Sequence, residues 1–207
     1  MAVYSMSWDL LVSFWAFSLV FVVTPGIDWS FAIAAGIRGQ GVLISIAGLL
    51  VGYLALTAFV AFGVGTVLAQ HDYLMRLMTL GGALYIGWLG VGMIRQPTYI
   101  QLGAESVAAV DRWRSFRHGI GVSGLNPKAL LFFVAFLPPF TSPHYHWSLV
   151  QQIMVMGSIH TASCAVVYTC VGYSSKWLLS SRPYAAMVVS RLAGVIMVCL
   201  AVGLLVH

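Results

Sequence analysis

Apolar residues in this chain occur in long runs rather than at alternating positions. Six runs can be separated, and each is near or above the roughly 20 residues that a helix needs to cross a bilayer. They cover about residues 10–35, 42–69, 74–94, 119–140, 148–173 and 184–206. The strands of an outer-membrane barrel would instead give alternating segments of about ten residues. The pattern therefore predicts an all-α, polytopic membrane protein with six transmembrane helices.

The composition agrees with a chain that lies mostly in lipid. Of the 207 residues, 60% are hydrophobic and only 7% are charged, and the mean hydropathy is +0.94. Soluble proteins carry about 25% charged residues. The first run follows Asp9 with no Lys or Arg ahead of it, so we expect this helix to stay in the mature protein rather than to be cleaved as a signal peptide. Residues 1–207 are predicted to form a single transmembrane domain.

The positions of the cations predict how the helices are oriented. Cytoplasmic loops of membrane proteins are enriched in Lys and Arg. With the N-terminus outside, only Arg76 among the cations of the connections would be external, and seven would be cytoplasmic: Arg38, Arg95, Arg112, Arg114, Arg117, Lys176 and Arg182. The net charge of +5 follows from this bias and does not indicate nucleic-acid binding. We therefore expect a multi-pass protein with both termini outside.

The two halves of the chain resemble each other around a proline. Both "VTPGIDWSF" (23–31) and "LNPKALLFF" (125–133) contain a small polar residue, a proline and then a charged residue. Three helices per half is an odd number, so two similar halves must have opposite topology, as in the inverted repeats of many secondary transporters. We predict a first repeat at 1–95, a cytoplasmic loop at 96–118 and a second repeat at 119–207.

The two prolines are predicted to break helices 1 and 4. Pro25 and Pro127 cannot donate to the carbonyls four residues earlier, and Gly26 gives the backbone further freedom. Unpaired carbonyls are costly in lipid and are tolerated where neighbouring groups meet them. We expect the side chains of Thr24 and Asn126 to do this.

Asp28 and Lys128 follow the two prolines closely. A charged side chain at the centre of a membrane helix costs about 2.5–3.5 kcal/mol, so such residues usually face a cavity or a partner. At 1.5 Å per residue, they would lie about 12 Å and 15 Å from the cytoplasmic end. We predict that they pair and form a substrate- and proton-binding site with Thr24 and Asn126. Alternatively, Asp28 merely ends the first helix and Lys128 extends to the interface.

Longer stretches around these motifs resemble a known family. The segments "TPGIDWSFAIAAGIRGQGVLISIAGLLVGY", "LGGALYIGWLGVGMIR" and "FRHGIGVSGLNPKALLFFVAFLPPF" are similar to the lysine-exporter (LysE/RhtB) family of bacterial amino-acid efflux proteins. The first motif of that family usually reads Pro-Gly-Pro followed by Asn or Asp, whereas Ile27 replaces the second proline here. The resemblance implies a six-span exporter of amino acids or close derivatives in the bacterial inner membrane, driven by the proton gradient.

Other classes of function have less support from the residues. A transmembrane redox carrier of related architecture would need paired cysteines on its repeated helices, but Cys164 and Cys170 lie on one run and on different helix faces. Because no catalytic or metal-ligand constellation emerges, we predict neither an enzyme nor a metal or cofactor site. A non-transporting membrane scaffold remains an alternative. The expected partners are an amino acid, protons and lipid, but not nucleic acid, and assembly into a homo-oligomer is left open.

Four polar side chains inside the predicted helices are not assigned to the site, and the three tyrosines among them are assigned to packing. Tyr53, Tyr85 and Tyr168 could line a path, but tyrosine is common at helix interfaces. His160 is expected to face the bundle and form a hydrogen bond, although a role in proton relay stays open.

Overall fold

The computed structural model describes residues 8–38, 41–64, 72–96, 111–142, 145–181 and 183–206. These residues contain no β-strand, which confirms the all-α class. The helices are α1 (Trp8–Val23), α2 (Ile27–Arg38), α3 (Val42–Phe59), α4 (Asp72–Arg95), α5 (Arg112–Gly124), α6 (Pro127–Leu131), α7 (Leu149–Ser181) and α8 (Pro183–Val206). Turns of π-helix extend α3 over Val60–Val64 and α6 over Phe132–Phe136, and a 3₁₀ turn follows at Pro138–Phe140.

Several of these helices are suited to cross a membrane. Val42–Gly63 and Leu149–Ser175 are each long and apolar enough to do so alone. Two more spans result if each bent pair is taken as one, namely α1 with α2, bent by 59°, and α5 with α6 and its extension, bent by 51°. Leu80–Arg95 and Gly194–Gly203 are shorter apolar segments. The described part of the chain thus holds two to four candidate spans, and the count of six stays a prediction.

Both bends fall at the prolines that the sequence singled out. Thr24, Pro25 and Gly26 separate α1 from α2, while a short turn separates α5 from α6. Asn126 caps the N-terminus of α6, and Pro127 lies in the first turn, where a missing N–H leaves no helical hydrogen bond unmade. The predicted breaks in helices 1 and 4 are therefore present.

The helix that carries the fourth run begins earlier than predicted. α5 starts at Arg112, inside the predicted loop 96–118, of which residues 97–110 lie outside the described part. Asp111 caps this helix by accepting hydrogen bonds from the N–H groups of Trp113, at 3.0 Å, and Arg114, at 3.3 Å. An aspartate at this position contributes about 1 kcal/mol to helix stability. The cap therefore extends a helix into a charged segment that hydropathy alone assigns to a loop.

Close contact between α3 and α5 depends on glycines. The small-xxx-small spacing of Gly48 and Gly52 predicts such packing. Gly48 lies against the backbone of Phe116, and Gly52 lies against the side chain of Ser123. The structure thus confirms that these two glycines serve helix packing.

Gly119→Ala is expected to destabilise the fold. A Cβ at this position would lie 2.5 Å from the Ser45 carbonyl oxygen and 2.9 Å from the Leu49 nitrogen, and these backbone atoms cannot move aside easily. Overpacking of this kind costs about 1–3 kcal/mol. Gly121→Ala is the matched control, because a Cβ there meets nothing within 4 Å. Thermal unfolding in detergent should give a lower midpoint for Gly119→Ala alone, and equal midpoints for both variants would contradict the packing.

The remaining helices, α4, α7 and α8, pack in two groups. α7 packs against α1, α2 and α3, and α4 packs along α8. A Cβ at Gly90 would lie 2.7 Å from the Gly194 carbonyl oxygen, and a Cβ at Gly194 would lie 2.7 Å from that of Gly90. The breaks of the two bent segments adjoin α3 and α7, because Tyr53 of α3 and His160 of α7 line the same cavity as the residues that follow the two prolines.

Candidate functional site

Two oppositely charged side chains meet where the two bent segments break. Asp28 lies in the first turn of α2 and is fully buried, while Lys128 lies in the first turn of α6 and exposes 12% of its side chain. The Nζ atom of Lys128 lies 3.9 Å from Oδ2 of Asp28. The structure therefore brings together the two residues that the sequence places at similar depths in the membrane and predicts to pair.

The ammonium group of Lys128 is anchored to the end of α1. Its Nζ atom donates to the carbonyl oxygens of Phe21 and Thr24, each at 3.0 Å. The Phe21 carbonyl is the one that Pro25 cannot satisfy, so the lysine replaces a missing helical hydrogen bond. Gly26 lies beside this group, since a Cβ there would be 3.5 Å from Nζ. A lysine has three N–H donors, so two are used on the backbone and one is left.

The carboxylate of Asp28 is held through only one of its oxygens. Asn126 donates from Nδ2 to Oδ2 at 2.8 Å. The other oxygen, Oδ1, is buried and has no hydrogen-bond donor of normal geometry among the described residues, although the Tyr53 side chain lies close enough to the carboxylate for electrostatic interaction and a looser hydrogen bond. Burying a polar atom without a partner costs about 1–3 kcal/mol, and more for a charged group. Oδ1 is therefore a position where a further donor would be stabilised.

Asn126 links the ion pair to the break in the second bent segment. Its Oδ1 atom accepts from the backbone N–H of Lys128 at 3.0 Å, while its Nδ2 atom binds Asp28. The side chain itself is buried. Both ends of the amide are thus engaged, which fixes the orientation of the carboxylate relative to α6.

The carbonyls left without a helical donor by the two prolines accept hydrogen bonds from other groups than the predicted ones. Thr24 is buried, and its hydroxyl donates to the Val20 carbonyl within α1. The Phe21 carbonyl is met by Lys128, and the Ser123 carbonyl by the backbone N–H three residues later, at 3.3 Å. The expectation that the side chains of Thr24 and Asn126 meet these carbonyls is therefore wrong. An ammonium on a long flexible side chain reaches both carbonyls at the end of α1, whereas the short threonine side chain reaches only its own helix.

A small cavity adjoins the ion pair. Its volume is about 10 Å³, which is close to the minimum that holds one water molecule. Asp28 and Lys128 contribute to its walls together with five rings, those of Phe21, Tyr53, Phe132, His160 and Tyr168. An amino acid does not fit in this volume, so binding one requires the surrounding helices to separate.

His160 belongs to this site, although it was not among the site residues predicted from the sequence. Its Nδ1 atom lies 2.7 Å from Oγ of Ser18 on α1, and its Nε2 atom lies 3.5 Å from Sγ of Cys164. Its ring stacks on Phe132, with centroids 4.1 Å apart. The expectation of a bundle-facing, hydrogen-bonded histidine is confirmed. In addition, the residue lines the cavity.

Two of the tyrosines assigned to packing also line the cavity. Tyr53 and Tyr168 are buried there, whereas Tyr85, on α4, is partly exposed. The sequence does contain a signal for this face, because His160, Cys164 and Tyr168 recur every four residues and so share one side of α7. The sequence shows no comparable pattern for the other aromatic side chains that line the cavity.

The described segments contain no cluster of side chains that is suited to metal binding or redox chemistry. No group of three or more His, Cys, Asp or Glu side chains there could hold a metal ion. Two histidines two residues apart could contact a metal but do not make a full ligand set. Of these, His146 is exposed, and His144 lies outside the described residues. Cys164 is buried and Cys170 is exposed, and neither forms a disulfide.

Comparison with known proteins defines the class of the protein. The sequence model of the LysE type translocator family matches residues 19–207. The chain belongs to this family. The family predicted from the sequence is thereby confirmed, and with it a translocator rather than an enzyme.

Individual relatives share about a quarter to a third of the matched residues. A membrane protein of Pseudomonas aeruginosa is 33% identical over 145 residues, which are 65% of this chain and 67% of that protein. A homoserine/homoserine lactone efflux protein of Salmonella typhimurium is 29% identical, over 66% of this chain and 64% of its own length. The threonine efflux protein of Escherichia coli is 23% identical, over 66% and 71%. The match thus spans about two thirds of these relatives, and no solved structure matches the chain.

Proposed function

We propose that the protein exports amino acids or close derivatives across the bacterial inner membrane in exchange for protons. Membership of the LysE type translocator family supports export, as do relatives named as efflux proteins for homoserine, threonine and leucine. The structural observation that carries the proposal is the contact of Asp28 with Lys128, buried beside a cavity where two apolar helices break.

The ion pair matches the charges of an amino acid. In the proposed complex the substrate ammonium binds the free Oδ1 atom of Asp28, and the substrate carboxylate binds the remaining N–H of Lys128. Asp28, the fully buried member of the pair, then keeps a positive charge nearby both with and without substrate. This matters because a buried charge that loses its partner is strongly destabilising.

Protonation of Asp28 is the proposed coupling step. A protonated carboxyl group no longer attracts the ammonium by charge, so a proton that arrives from outside favours release of the substrate to that side. The titratable groups that share the cavity with Asp28 are Lys128, His160, Tyr53 and Tyr168. Because the proton gradient across the membrane is directed inward, each proton that enters would drive substrate outward.

We also propose that the chain forms six spans as two inverted repeats, 1–95 and 119–207. In support, each half contains one bent segment, with bends of 59° and 51°, and each break has a proline followed by a charged residue. Gly90 of α4 and Gly194 of α8 contact each other's carbonyl oxygens in the same way. These helices are the third of each half, and a pseudo-two-fold axis between the halves would produce such a reciprocal contact.

Reporter fusions at the two termini are expected to show that both lie outside. The reason is the seven-to-one bias of cations toward the opposite side, together with an even number of spans. A fusion within the loop 96–118 is the control and should report a cytoplasmic position. Cytoplasmic signals from both termini would reverse the proposed orientation, and opposite signals would contradict the even count.

Export itself is tested by measuring amino-acid pools in bacteria that overproduce the protein. We expect one or a few amino acids to accumulate in the medium, and we expect a protonophore to stop this accumulation. If the protein is correctly inserted and all pools stay unchanged, export is contradicted and a non-transporting scaffold becomes the better account.

A further inference from the structure

Most N–H donors of Lys128 are already used, whereas most acceptor sites of Asp28 are not. Lys128 uses two of its three N–H donors on the carbonyls of Phe21 and Thr24, and the carboxylate of Asp28 lies 3.9 Å from the same nitrogen. Asp28 has about four lone-pair sites and accepts one hydrogen bond, from Asn126. The site therefore has acceptor capacity to spare and little donor capacity.

The two charged groups also differ in what a ligand must displace. A substrate carboxylate can use only the one remaining N–H of Lys128, because drawing the ammonium group further toward it would weaken the bonds to the carbonyls of Phe21 and Thr24. A carbonyl left without a donor in the membrane interior pays its full desolvation penalty. At Oδ1 of Asp28 a substrate ammonium displaces no hydrogen bond of normal geometry among the described residues, since only the Tyr53 side chain interacts loosely with the carboxylate. The substrate ammonium therefore gains more at this site than the substrate carboxylate.

The walls of the cavity favour a cation as well. Phe21 and Phe132 lie with ring centroids 5.0 Å apart, and Tyr53 and Tyr168 lie with centroids 6.5 Å apart. All four rings line the cavity that Asp28 borders. Aromatic faces attract a desolvated ammonium group, and they do not attract a carboxylate in this way.

We propose that the protonated amino group is the obligatory recognition element of the substrate and that the carboxylate is dispensable. This proposal rests on the function proposed above and specifies the chemical class of the ligand. The site binds compact primary amines, which include amino acids and their amides, in which an uncharged carboxamide replaces the carboxylate and the ammonium group remains. It rejects carboxylic acids that have the same side chain but lack the amino group.

The test compares ligands that differ in one group, using the full-length protein purified in detergent. Thermal unfolding is first measured with each of the protein amino acids and with homoserine. Every amino acid that raises the midpoint is then compared with its amide and with its deaminated acid, and a dissociation constant is derived from the concentration dependence. We expect the amide to bind within about tenfold of the amino acid, and the deaminated acid to bind at least about 100-fold more weakly.

The outcomes separate this proposal from the function on which it rests. An amide that does not bind, or a deaminated acid that binds as well as the amino acid, would overturn the proposal and leave amino-acid export intact. If no amino acid raises the midpoint, the proposal and the proposed function fail together. As a check on the residue, Asp28→Asn should abolish stabilisation by the amides, whereas Asp9→Asn, at an exposed position in α1, should preserve it.

Discussion

Asp28→Asn is expected to abolish proton-dependent export while the protein still inserts and folds. The amide has nearly the same shape as the carboxylate, but it cannot titrate and cannot attract an ammonium by charge. Loss of a hydrogen bond to a charged group costs about 1.5–3 kcal/mol, which corresponds to roughly 10- to 150-fold weaker binding. The measurement is export from intact cells at several external pH values, with the amount of inserted protein determined in parallel.

Asp9→Asn is the matched control for this experiment. Asp9 lies in the first turn of α1 and is exposed, so its neutralisation leaves the buried pair unchanged. This variant should export like the unmodified protein, with the same pH dependence. If Asp28→Asn also exports with unchanged pH dependence, Asp28 has no part in the coupling step.

Lys128→Ala is expected to be the most destabilising single change at the site. It leaves Asp28 buried without an opposite charge, and it removes the donor of the Phe21 and Thr24 carbonyls. Breaking a buried ion pair by removal of one partner costs about 3–5 kcal/mol. The measurement is chemical unfolding in detergent. The control Arg114→Ala, at an exposed position on α5, should change stability by no more than about 0.5 kcal/mol.

Two further variants show which contact of Lys128 matters. Lys128→Arg should restore only part of the stability, because a planar guanidinium cannot reproduce the approach of a compact ammonium to two carbonyls. Asp28→Asn combined with Lys128→Gln should destabilise less than the sum of the single changes, by about 0.5–3 kcal/mol. Strict additivity would mean that the two charges do not interact, and the carbonyl contacts alone would then explain the lysine.

The charged part of the site could be predicted from the sequence because charges are rare in membrane helices. Asp28 and Lys128 stand out in apolar runs, and their distances from the cytoplasmic ends of those runs place them at similar depths. The cost of a charge in lipid then favours a pair. Residue type and position are sufficient for this step, and no knowledge of the helix arrangement is needed.

The other contacts depend on three-dimensional geometry that residue type does not reveal. Every residue has a carbonyl, so only the approach of α6 to the end of α1 selects those of Phe21 and Thr24 as partners of the lysine. In the same way, Tyr53 and Tyr168 are equally suited to packing and to a cavity wall. Their assignment to packing therefore missed a role that becomes visible only when α3 and α7 are placed beside the ion pair.

The central claim is that an amino acid leaves in exchange for a proton that binds Asp28. It is tested most directly in proteoliposomes that contain the purified protein, a labelled amino acid identified by the export assay and a pH-sensitive dye. With acid outside, we predict faster efflux of the amino acid and simultaneous acidification of the lumen for the unmodified protein and for Asp9→Asn. Neither signal is predicted for Asp28→Asn. Efflux without proton entry from the unmodified protein, or proton-linked efflux from Asp28→Asn, would contradict the account.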